Sequence, residues 1–330
     1  MNYLIGMIKK LINKITFKQK LNLNRYYIMN FTDQLKVAKP KAAESSLKTY
    51  NTILKKAYTI MFGKTESPDI EKFRNTGKVF SYVNTFPMTT GKTILSAISA
   101  LAPMKDYTEK IFELQKTIQK ETEKSKMTPK LQESEITPSQ MADVVKFLKK
   151  DADAINKKSE LTMRDIQQIQ NYVIVSLYHG HIAPRRAIDF TEMVLKPTDK
   201  KTQNYIDMRK SKFVFNNYKT SSTFGTQEIT IPASLKKILK AWILLIPTEV
   251  NHLLFNSQRQ PLSNVSLGQR LNEIFGEGKS VNSLRHFFLT QNHSDTVRLT
   301  DKLSEDMTAM GSSTKQVKSY VKINAADEPE

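Results

Sequence analysis

A helix, a tight turn and two adjacent arginines follow one another in residues 162–190, TMRDIQQIQNYVIVSLYHGHIAPRRAIDF. Apolar residues recur every three or four positions after Thr162, which predicts an amphipathic helix. They are Ile166, Ile169, Val173 and Leu177. The turn at residues 179–181 ends this helix, and Pro184 then leads through Arg185 and Arg186 into a short second helix. The sequence therefore predicts an arginine pair at the start of a helix.

The charge of the chain predicts a polyanionic partner. Its 330 residues include 51 Lys+Arg against 32 Asp+Glu, a formal net charge of +19. Cysteine is absent, which excludes a disulfide framework, a thiolate zinc site, an iron–sulfur cluster and a cysteine nucleophile. No run of residues approaches the ~20 apolar residues that a membrane span requires.

The common catalytic motifs are incomplete. The segments Gly91-Lys92-Thr93 and Gly278-Lys279-Ser280 resemble phosphate loops, but Phe86 and Glu273 stand where the upstream glycine is needed. The five histidines lack the HExxH spacing of zinc proteases, and no Gly-x-Ser-x-Gly segment occurs. These patterns argue against nucleotide, metalloprotease and serine-hydrolase chemistry.

Composition divides the chain into two predicted domains and a linker. Residues 31–127 have helical spacing throughout and many lysines, which predicts a small basic helical domain. Residues 128–136 belong to a charged, proline-containing stretch and predict a linker. Residues 137–323 predict a second domain. It opens on Thr137, Pro138 and Gln140, which have the spacing of a capping box with proline in the first helical position.

The two ends of the chain are predicted to lie outside these domains. Residues 1–30 carry six basic residues and no acid. They are interpreted as a basic arm that lies on DNA, a partner or a membrane surface, or as a variable leader before a fold that starts near Met29. Residues 324–330 predict a short acidic tail.

The second domain is predicted to contain a β-hairpin among helices. Residues 212–218 (KFVFNNY) and 226–231 (TQEITI) alternate as strands do, and residues 219–225 join them. A helix is predicted over 235–246, and Ser313 is predicted to cap a last helix. The predicted fold class is mainly α with a small β-sheet, that is α+β.

Four short motifs occur in order in the second domain. They are APRRAIDF (183–190), FNNYKTS (215–221) followed by Gly225 and Gln227, SLRHF (283–287), and MGSS (310–313) with Tyr320 eight residues past Ser312. In order and spacing they resemble the tyrosine recombinases, or phage-type integrases, and in particular the divergent members of virophages and related viral mobile elements. The resemblance covers about residues 35–325 and implies a helical DNA-clamping domain before a tyrosine-recombinase-like catalytic domain.

The resemblance implies a DNA strand transferase that needs no metal or other cofactor. Tyr320 would be the nucleophile and would form a 3′-phosphotyrosyl link. Arg186 and Arg285 would stabilise charge on the nonbridging oxygens, and Lys219 would protonate the departing 5′-oxygen. Asn282 stands where the family usually has histidine, and it can donate a hydrogen bond to phosphate but cannot shuttle a proton.

Three further candidates accompany this set. Arg185 competes with Arg186 to be the inward-pointing arginine, although the family spacing of an arginine three residues before an acid selects Arg186 with Asp189. Ser312 stands where the family has a second histidine or tryptophan, and His286 follows Arg285 directly.

Each residue of the set also has a structural interpretation. The arginine pair could belong to a solvated basic turn, Lys219 could be a surface lysine, and Tyr320 could be a core residue. Arg285 lies between Leu284 and the Phe287-Phe288 pair, which predicts a largely buried helix. An unpaired arginine there is costly, so either a phosphate or an internal acid must satisfy it.

Three functions are therefore in competition. The first is a site-specific recombinase that integrates or resolves a viral or mobile element, as a homo-tetramer on two double-stranded DNA sites. The others are a DNA-binding homologue without the reaction and a strand-relaxing enzyme similar to type IB topoisomerases. No membrane partner and no small-molecule substrate are expected. The expected location is inside the cell at DNA, in the host nucleus or a viral factory, and the chain is not expected to be secreted.

Overall fold

The computed structural model describes residues 30–123 and 129–320, which separate into two units with a boundary at Lys126 and Met127. The predicted N-terminal arm, apart from Asn30, and the predicted acidic tail lie outside the described residues. The predicted domain boundaries stay predictions.

The described part of the first unit contains helices and no strand, as its spacing predicts. The helices are α1 (Thr32–Ala38), α2 (Glu44–Phe62), a 3-10 helix (Ile70–Arg74), α3 (Thr76–Val83), α4 (Met88–Leu101) and α5 (Lys105–Glu123). The helical pattern over 70–84 breaks at Asn75, because the Asn75 side chain accepts a hydrogen bond from the Lys78 N–H and caps α3.

An aromatic cluster forms the centre of the first unit. Phe31, Tyr58 and Phe73 are fully buried and their rings lie within 6.1 Å of one another, centre to centre. The Tyr107 hydroxyl donates to the Phe73 carbonyl, so this buried hydroxyl is satisfied. Rings from three separate elements thus hold the helices of this unit together.

The second unit is also mainly helical and carries the small sheet. Its elements are α6 (Pro129–Glu133), α7 (Pro138–Ile155), α8 (Met163–Tyr178), α9 (Ala187–Thr191), β1 (Tyr205–Asp207), β2 (Lys212–Phe215), α10 (Ser221–Phe224), β3 (Gln227–Thr230), α11 (Ala233–Leu245), α12 (Asn264–Phe275), α13 (Val281–Ala309), a 3-10 helix (Thr314–Gln316) and α14 (Val317–Tyr320). The predicted fold class is confirmed. The predicted linker contains helix α6.

Helix α8 is the central helix of the second unit. The Thr162 and Asp165 side chains cap its start reciprocally, and Lys158 pairs with Asp165 at 2.6 Å. The Gln170 amide is fully buried and makes two 2.9 Å hydrogen bonds, to the N–H and to the carbonyl of Phe255. The helix ends before Gly180, whose φ of 94° suits glycine. Local capping thus fixes the start of the helix that leads to the arginine pair, and a glycine turn follows its end.

The sheet is antiparallel in the order β1-β2-β3, with β2 in the middle. The pairs Ile206↔Phe213 and Phe213↔Ile229 give its register. Phe213 and Phe215 of β2 pack on Phe190 of α9 with ring centres 5.6 and 5.8 Å apart. The predicted hairpin is therefore present, and the sheet supports the helix that follows the arginine pair.

One predicted capping box forms only in half, and one predicted cap makes no side-chain hydrogen bond. The Thr137 hydroxyl caps α7 by accepting from the Gln140 N–H, but the Gln140 side chain donates to the Phe275 carbonyl at the end of α12 instead of completing the box. Ser313 makes no side-chain cap hydrogen bond to the described residues. In the first case a tertiary partner 135 residues away replaces the local one.

Helix α13 is buried at its start and again at Met307 near its end. Val281 and Leu284 belong to the core of the second unit, whereas most residues from Leu289 to Asp306 are exposed. The predicted burial of the Arg285 helix therefore holds for its first turns. Within the described residues, no helix is both long enough and apolar enough to span a membrane.

The side chain of Asn204 ties the sheet to α9. It is 1% exposed and donates to the carbonyls of Asp189 (3.3 Å) and Asn217 (2.7 Å). Its oxygen accepts from the N–H groups of Asn216 and Asn217, both at 2.8 Å. One amide therefore fixes the turn after β2 against the start of α9.

We expect Asn204→Ala to lower the free energy of unfolding by about 2–4 kcal/mol, because it leaves several buried backbone groups without partners. Urea unfolding followed by the fluorescence of Trp242 measures this, since Trp242 is the one tryptophan of the sequence and is buried in the second unit. Asn292→Ala, which removes an exposed hydrogen bond within α13, serves as the control and is expected to change stability by less than about 0.5 kcal/mol. Equal effects of both changes would show that Asn204 does not hold the turn.

Candidate active site

Arg185 is the inward-pointing member of the arginine pair. Its Nε donates to Asp189 Oδ2 at 2.8 Å and its Nη1 donates to the Gln227 side chain of β3. Its guanidinium lies 4.3 Å from the ring centre of Phe215 and 4.7 Å from that of Tyr218. The side chain is only 15% exposed. Arg185 therefore joins α9, two strands and the turn after β2.

A buried polar cluster surrounds this ion pair. Burial raises the pKa of the Asp189 carboxyl, and the charges of Arg185 and Arg186 oppose that effect. Three buried atoms here have no hydrogen-bond partner among the described residues: Arg185 Nη2, Asp189 Oδ1 and the Tyr178 hydroxyl. Buried polar atoms without partners are rare, so three in one place indicate a functional site.

Arg186 differs from its neighbour. It is the N-cap residue of α9, and its carbonyl accepts from the Asp189 N–H at 3.1 Å. Its guanidinium is partly buried and makes no hydrogen bond or ion pair within the described chain. Its charge nevertheless acts on Asp189. Arg186 is thus a cation held beside the cluster and available to a ligand.

Arg285 reaches the same cluster from α13. It is partly buried, and it too has no hydrogen bond or ion pair to any described residue. Burial and the Asp189 charge raise the pKa of the Tyr178 hydroxyl, and the Arg285 charge opposes them. Asn282 is exposed three residues earlier on the same helix, so the two side chains lie on one face. The structure thus brings Arg186 and Arg285 to one buried Asp189–Tyr178 pair.

Lys219 lies in the turn that begins at this cluster. It follows Tyr218, whose ring packs on Arg185 and whose hydroxyl donates to the Gly225 carbonyl at 2.7 Å. The loop between the strands is therefore closed and contains helix α10. The Lys219 side chain is exposed and has no hydrogen bond or ion pair to the described residues. A third unpaired cation thus stands next to the buried arginine.

The other sequence candidates do not join these cations. His286 lies in a groove with Ser134 and Phe287, on a different face of α13 from Arg285. The Ser312 hydroxyl donates to Gln316 beyond the end of α13. Tyr320 is 57% exposed at the end of α14. Ser312 therefore lies beyond the far end of α13 from Arg285, and Tyr320 follows it by eight residues.

Sequence reasoning missed two residues that build the cluster. Tyr178 is the last residue of α8 and looks like an ordinary core residue in sequence. Glu192 lies near Asp189, and its carboxylate accepts from the Asn217 side chain at 3.0 Å. Burial, followed by the charge of Asp189, raises the pKa of Glu192. The only sequence signal for Glu192 is its position three residues after Asp189.

The unpaired positive charges of these side chains favour the binding of an anionic ligand. The unpaired cations Arg186 and Arg285 act on a cluster in which Arg185 already neutralises Asp189. Lys219 follows Tyr218, whose ring packs on Arg185. Guanidinium groups with free donors bind phosphate oxygens through pairs of charge-assisted hydrogen bonds. In the described chain, no group of three or more metal-ligating side chains lies together.

Comparisons with known proteins give low similarities only. No family model matches the chain and no curated protein matches its sequence. Among solved structures, XerA recombinase has a TM-score of 0.34 at 11% identity, covering 79% of this chain and 83% of that one. XerH site-specific recombinase bound to difH before cleavage has a TM-score of 0.41 at 15% identity, covering 80% and 75%. Its complex with palindromic difH after cleavage has a TM-score of 0.39 at 14% identity, covering 80% and 74%. At these TM-scores the similarity assigns no activity to this chain.

The two adjacent arginines are expected to respond differently to substitution. Arg185→Ala leaves Asp189 buried without its partner and should lower the free energy of unfolding by about 3–5 kcal/mol. Arg186→Ala removes no hydrogen bond of the side chain and should lower it by less than about 1 kcal/mol. Urea unfolding followed by Trp242 fluorescence compares them in the same protein. A large loss from Arg186→Ala would mean that Arg186 is a structural residue and not a ligand-binding one.

Proposed function

We propose that this protein is a DNA strand transferase of the tyrosine-recombinase type, which cleaves and rejoins DNA through a phosphotyrosyl intermediate. The observation that carries the proposal is the pair of partly buried guanidinium groups, Arg186 and Arg285, beside the Tyr178–Asp189 cluster. Neither has an acid partner within the described residues. Arg285 is only partly buried, so water can satisfy its donors in the free protein, and we propose that a phosphate replaces that water in the complex.

The partner is proposed to be double-stranded DNA. A net charge of +19 provides the attraction that non-specific phosphate contacts need. Phosphate contacts position a protein on DNA without reading its sequence, so the charge supports DNA as a class of partner and names no site.

The unpaired cations Arg186, Lys219 and Arg285, here called the cation site, and the residues around them have distinct roles in the proposed reaction. Arg186 and Arg285 donate to the nonbridging oxygens of the scissile phosphate, where negative charge increases in the transition state. Asn282 adds a hydrogen-bond donor on the face of α13 that carries Arg285. Arg185 is a positioning residue, because its donors are used by Asp189 and Gln227.

The proposed chemical step exchanges one phosphodiester for another. The Tyr320 oxygen attacks phosphorus, the bond to the 5′-oxygen breaks, and that oxygen takes a proton from Lys219. The new 3′-phosphotyrosyl ester keeps the bond energy for rejoining. Attack by the 5′-hydroxyl of another strand gives recombination, whereas attack by the original strand restores the DNA.

The biological setting is part of the same proposal. We propose site-specific integration or resolution of a viral or other mobile element, by a tetramer that joins two DNA sites. The protein would act where that DNA lies, in the host nucleus or in a viral factory.

A DNA-binding protein without the reaction is the second candidate. Asparagine at position 282 favours it, because asparagine cannot shuttle a proton. Both candidates bind DNA through the cation site, and only the first forms a covalent adduct.

The covalent step is tested with nicked duplexes from which the cleaved strand cannot be religated, taken from a library of randomised sites. We expect wild-type protein to give a denaturation-resistant protein–DNA band and Tyr320→Phe to give none, because the change removes only the nucleophilic oxygen. Tyr205→Phe is the control and should keep the band. A band that persists in Tyr320→Phe would exclude Tyr320, and wild-type binding without any band would favour the second candidate.

The phosphate-binding role of the arginines is tested by salt dependence. Arg186→Ala and Arg285→Ala should each reduce the slope of log affinity against log salt by about 0.9 on a non-specific duplex, since each removes about one phosphate contact. Fluorescence anisotropy measures the slope. Arg259, which pairs with Glu249 on the surface, provides the control variant Arg259→Ala, with an unchanged slope. Unchanged slopes for Arg186→Ala and Arg285→Ala would remove the basis of the proposal.

A further inference from the structure

A broad groove lies in the second unit, between the turn that joins β1 to β2 and the segments 195–200 and 246–251. Its volume is about 1010 Å³. Pockets for small molecules measure about 300–1,000 Å³, so this groove has room for a short peptide segment. The apolar side chains on its floor include Leu195, Ile206, Met208, Ile243, Ile246 and Pro247.

The groove lies at the opposite end of β2 from the cation site. Residues 208–210 border it just before Lys212, where β2 begins, whereas Arg185 stacks on Phe215, where β2 ends. At about 3.4 Å per residue, the two ends of this strand are about 10 Å apart. Gln227, which binds Arg185, lies on β3, on the other side of β2 from β1. The groove shares no lining residue with the cation site.

Hydrogen bonds fix the backbone of both walls of the groove. On one wall the Asn251 side chain donates to the Lys196 carbonyl at 2.8 Å and accepts from the Lys196 N–H at 2.7 Å. On the other wall the Asp207 carboxylate accepts from the N–H groups of Arg209 at 3.1 Å and of Lys210 at 3.0 Å. The walls are therefore formed by the chain itself, and a ligand has little backbone to order when it binds.

The rim of the groove is positively charged. Its cations, Lys196, Lys200, Arg209 and Lys210, are exposed, and their side chains make no hydrogen bond or ion pair within the described chain. These four, here called the rim cations, face one lining acid, Asp207, which leaves a formal charge of +3. The hydrogen bond from the Lys210 N–H lowers the pKa of the Asp207 carboxyl, and the charges of Lys210 and Lys200 act in the same direction. Asp207 is thus engaged in the turn, and the rim cations are available to a ligand.

The floor and the rim together select the chemistry of the ligand. Apolar side chains would cover the floor, and carboxylates between them would meet the rim cations. A DNA duplex offers phosphates to the rim but no apolar side chain to the floor. A neutral apolar peptide would leave the rim cations without counter-charges. An acidic peptide with large apolar side chains is the ligand that satisfies both surfaces.

We propose that this groove binds an acidic segment of a partner protein, with apolar side chains packed on Met208 and Ile243 and carboxylates paired with the rim cations. The proposal does not rest on the proposed function, because none of the residues that would bind the segment belongs to the cation site. The segment would attach a second protein to this chain without using Arg186, Lys219 or Arg285.

Peptide selection on full-length protein tests the proposal. The probe is a displayed library of short peptides built from aspartate, glutamate, leucine, phenylalanine and glycine. Selected peptides are labelled, and fluorescence anisotropy measures their affinities. We expect binders that combine carboxylates with large apolar side chains. Replacing either kind by glycine should weaken binding at least about ten-fold. Failure to select any binder would overturn the proposal.

Variants of the protein locate the bound peptide. Lys196→Glu with Arg209→Glu should weaken peptide binding at least about ten-fold, because two of the rim cations become acids. The matched control, Lys237→Glu with Lys240→Glu, changes the net charge equally on exposed positions of α11 outside the groove and should alter binding less than about two-fold. Met208→Asp should also weaken binding about ten-fold, since it places a charge on the floor. Trp242-monitored unfolding should stay unchanged in the double variants, whose replaced side chains are exposed.

Three results would overturn the proposal. Equal weakening by the two double variants would mean that peptides bind through net charge alone. Selected peptides without apolar residues, unaffected by Met208→Asp, would show a general anion-binding surface of the kind that DNA contacts. Peptides that bind about ten-fold more tightly after deletion of residues 324–330 would assign the groove to the acidic tail of the chain itself.

Discussion

The buried ion pair between Arg185 and Asp189 is the interaction on which the rest of the site depends. A carboxylate that is 1% exposed is tolerated only with a partner, and Arg185 supplies the charge at 2.8 Å. The guanidinium is in turn fixed by Gln227 and by two aromatic rings. One charge pair therefore sets the start of α9, the edge of the sheet and the turn that carries Lys219.

This pair also explains why two identical neighbouring residues have different roles. Arg185 neutralises Asp189, and neither Arg186 nor Arg285 makes an ion pair within the described chain. Both guanidinium groups therefore remain available to an anion. The Tyr178 hydroxyl joins the cluster without a hydrogen-bond partner. The cluster thus has little net charge of its own, and the unpaired cations Arg186 and Arg285 lie beside it.

The long helix α13 brings Arg285 to this cluster. Its first turns belong to the core, where Leu284 is fully buried. Most of its later residues are exposed, and Met307 near its end is buried. The packing of the first turns therefore fixes the place from which Arg285 acts on the cluster.

The sequence by itself determined the local features. The spacing after Thr162 predicted α8 and its start, and Thr137 with Pro138 predicted the start of α7. Alternation of apolar and polar residues predicted the paired strands β2 and β3. These features are predictable because the interactions behind them act between residues a few positions apart in the chain. The arginines, Lys219 and Asn282 were also named from sequence order.

Only the tertiary structure decided which arginine turns inward. Gln227 and the ring of Phe215 lie 42 and 30 positions away in sequence, and no local pattern records that Arg185 meets both. The same holds for Gln140, for Asn204 and for the distance between Arg285 and Tyr320, because these depend on partners and lengths that only the packed chain specifies.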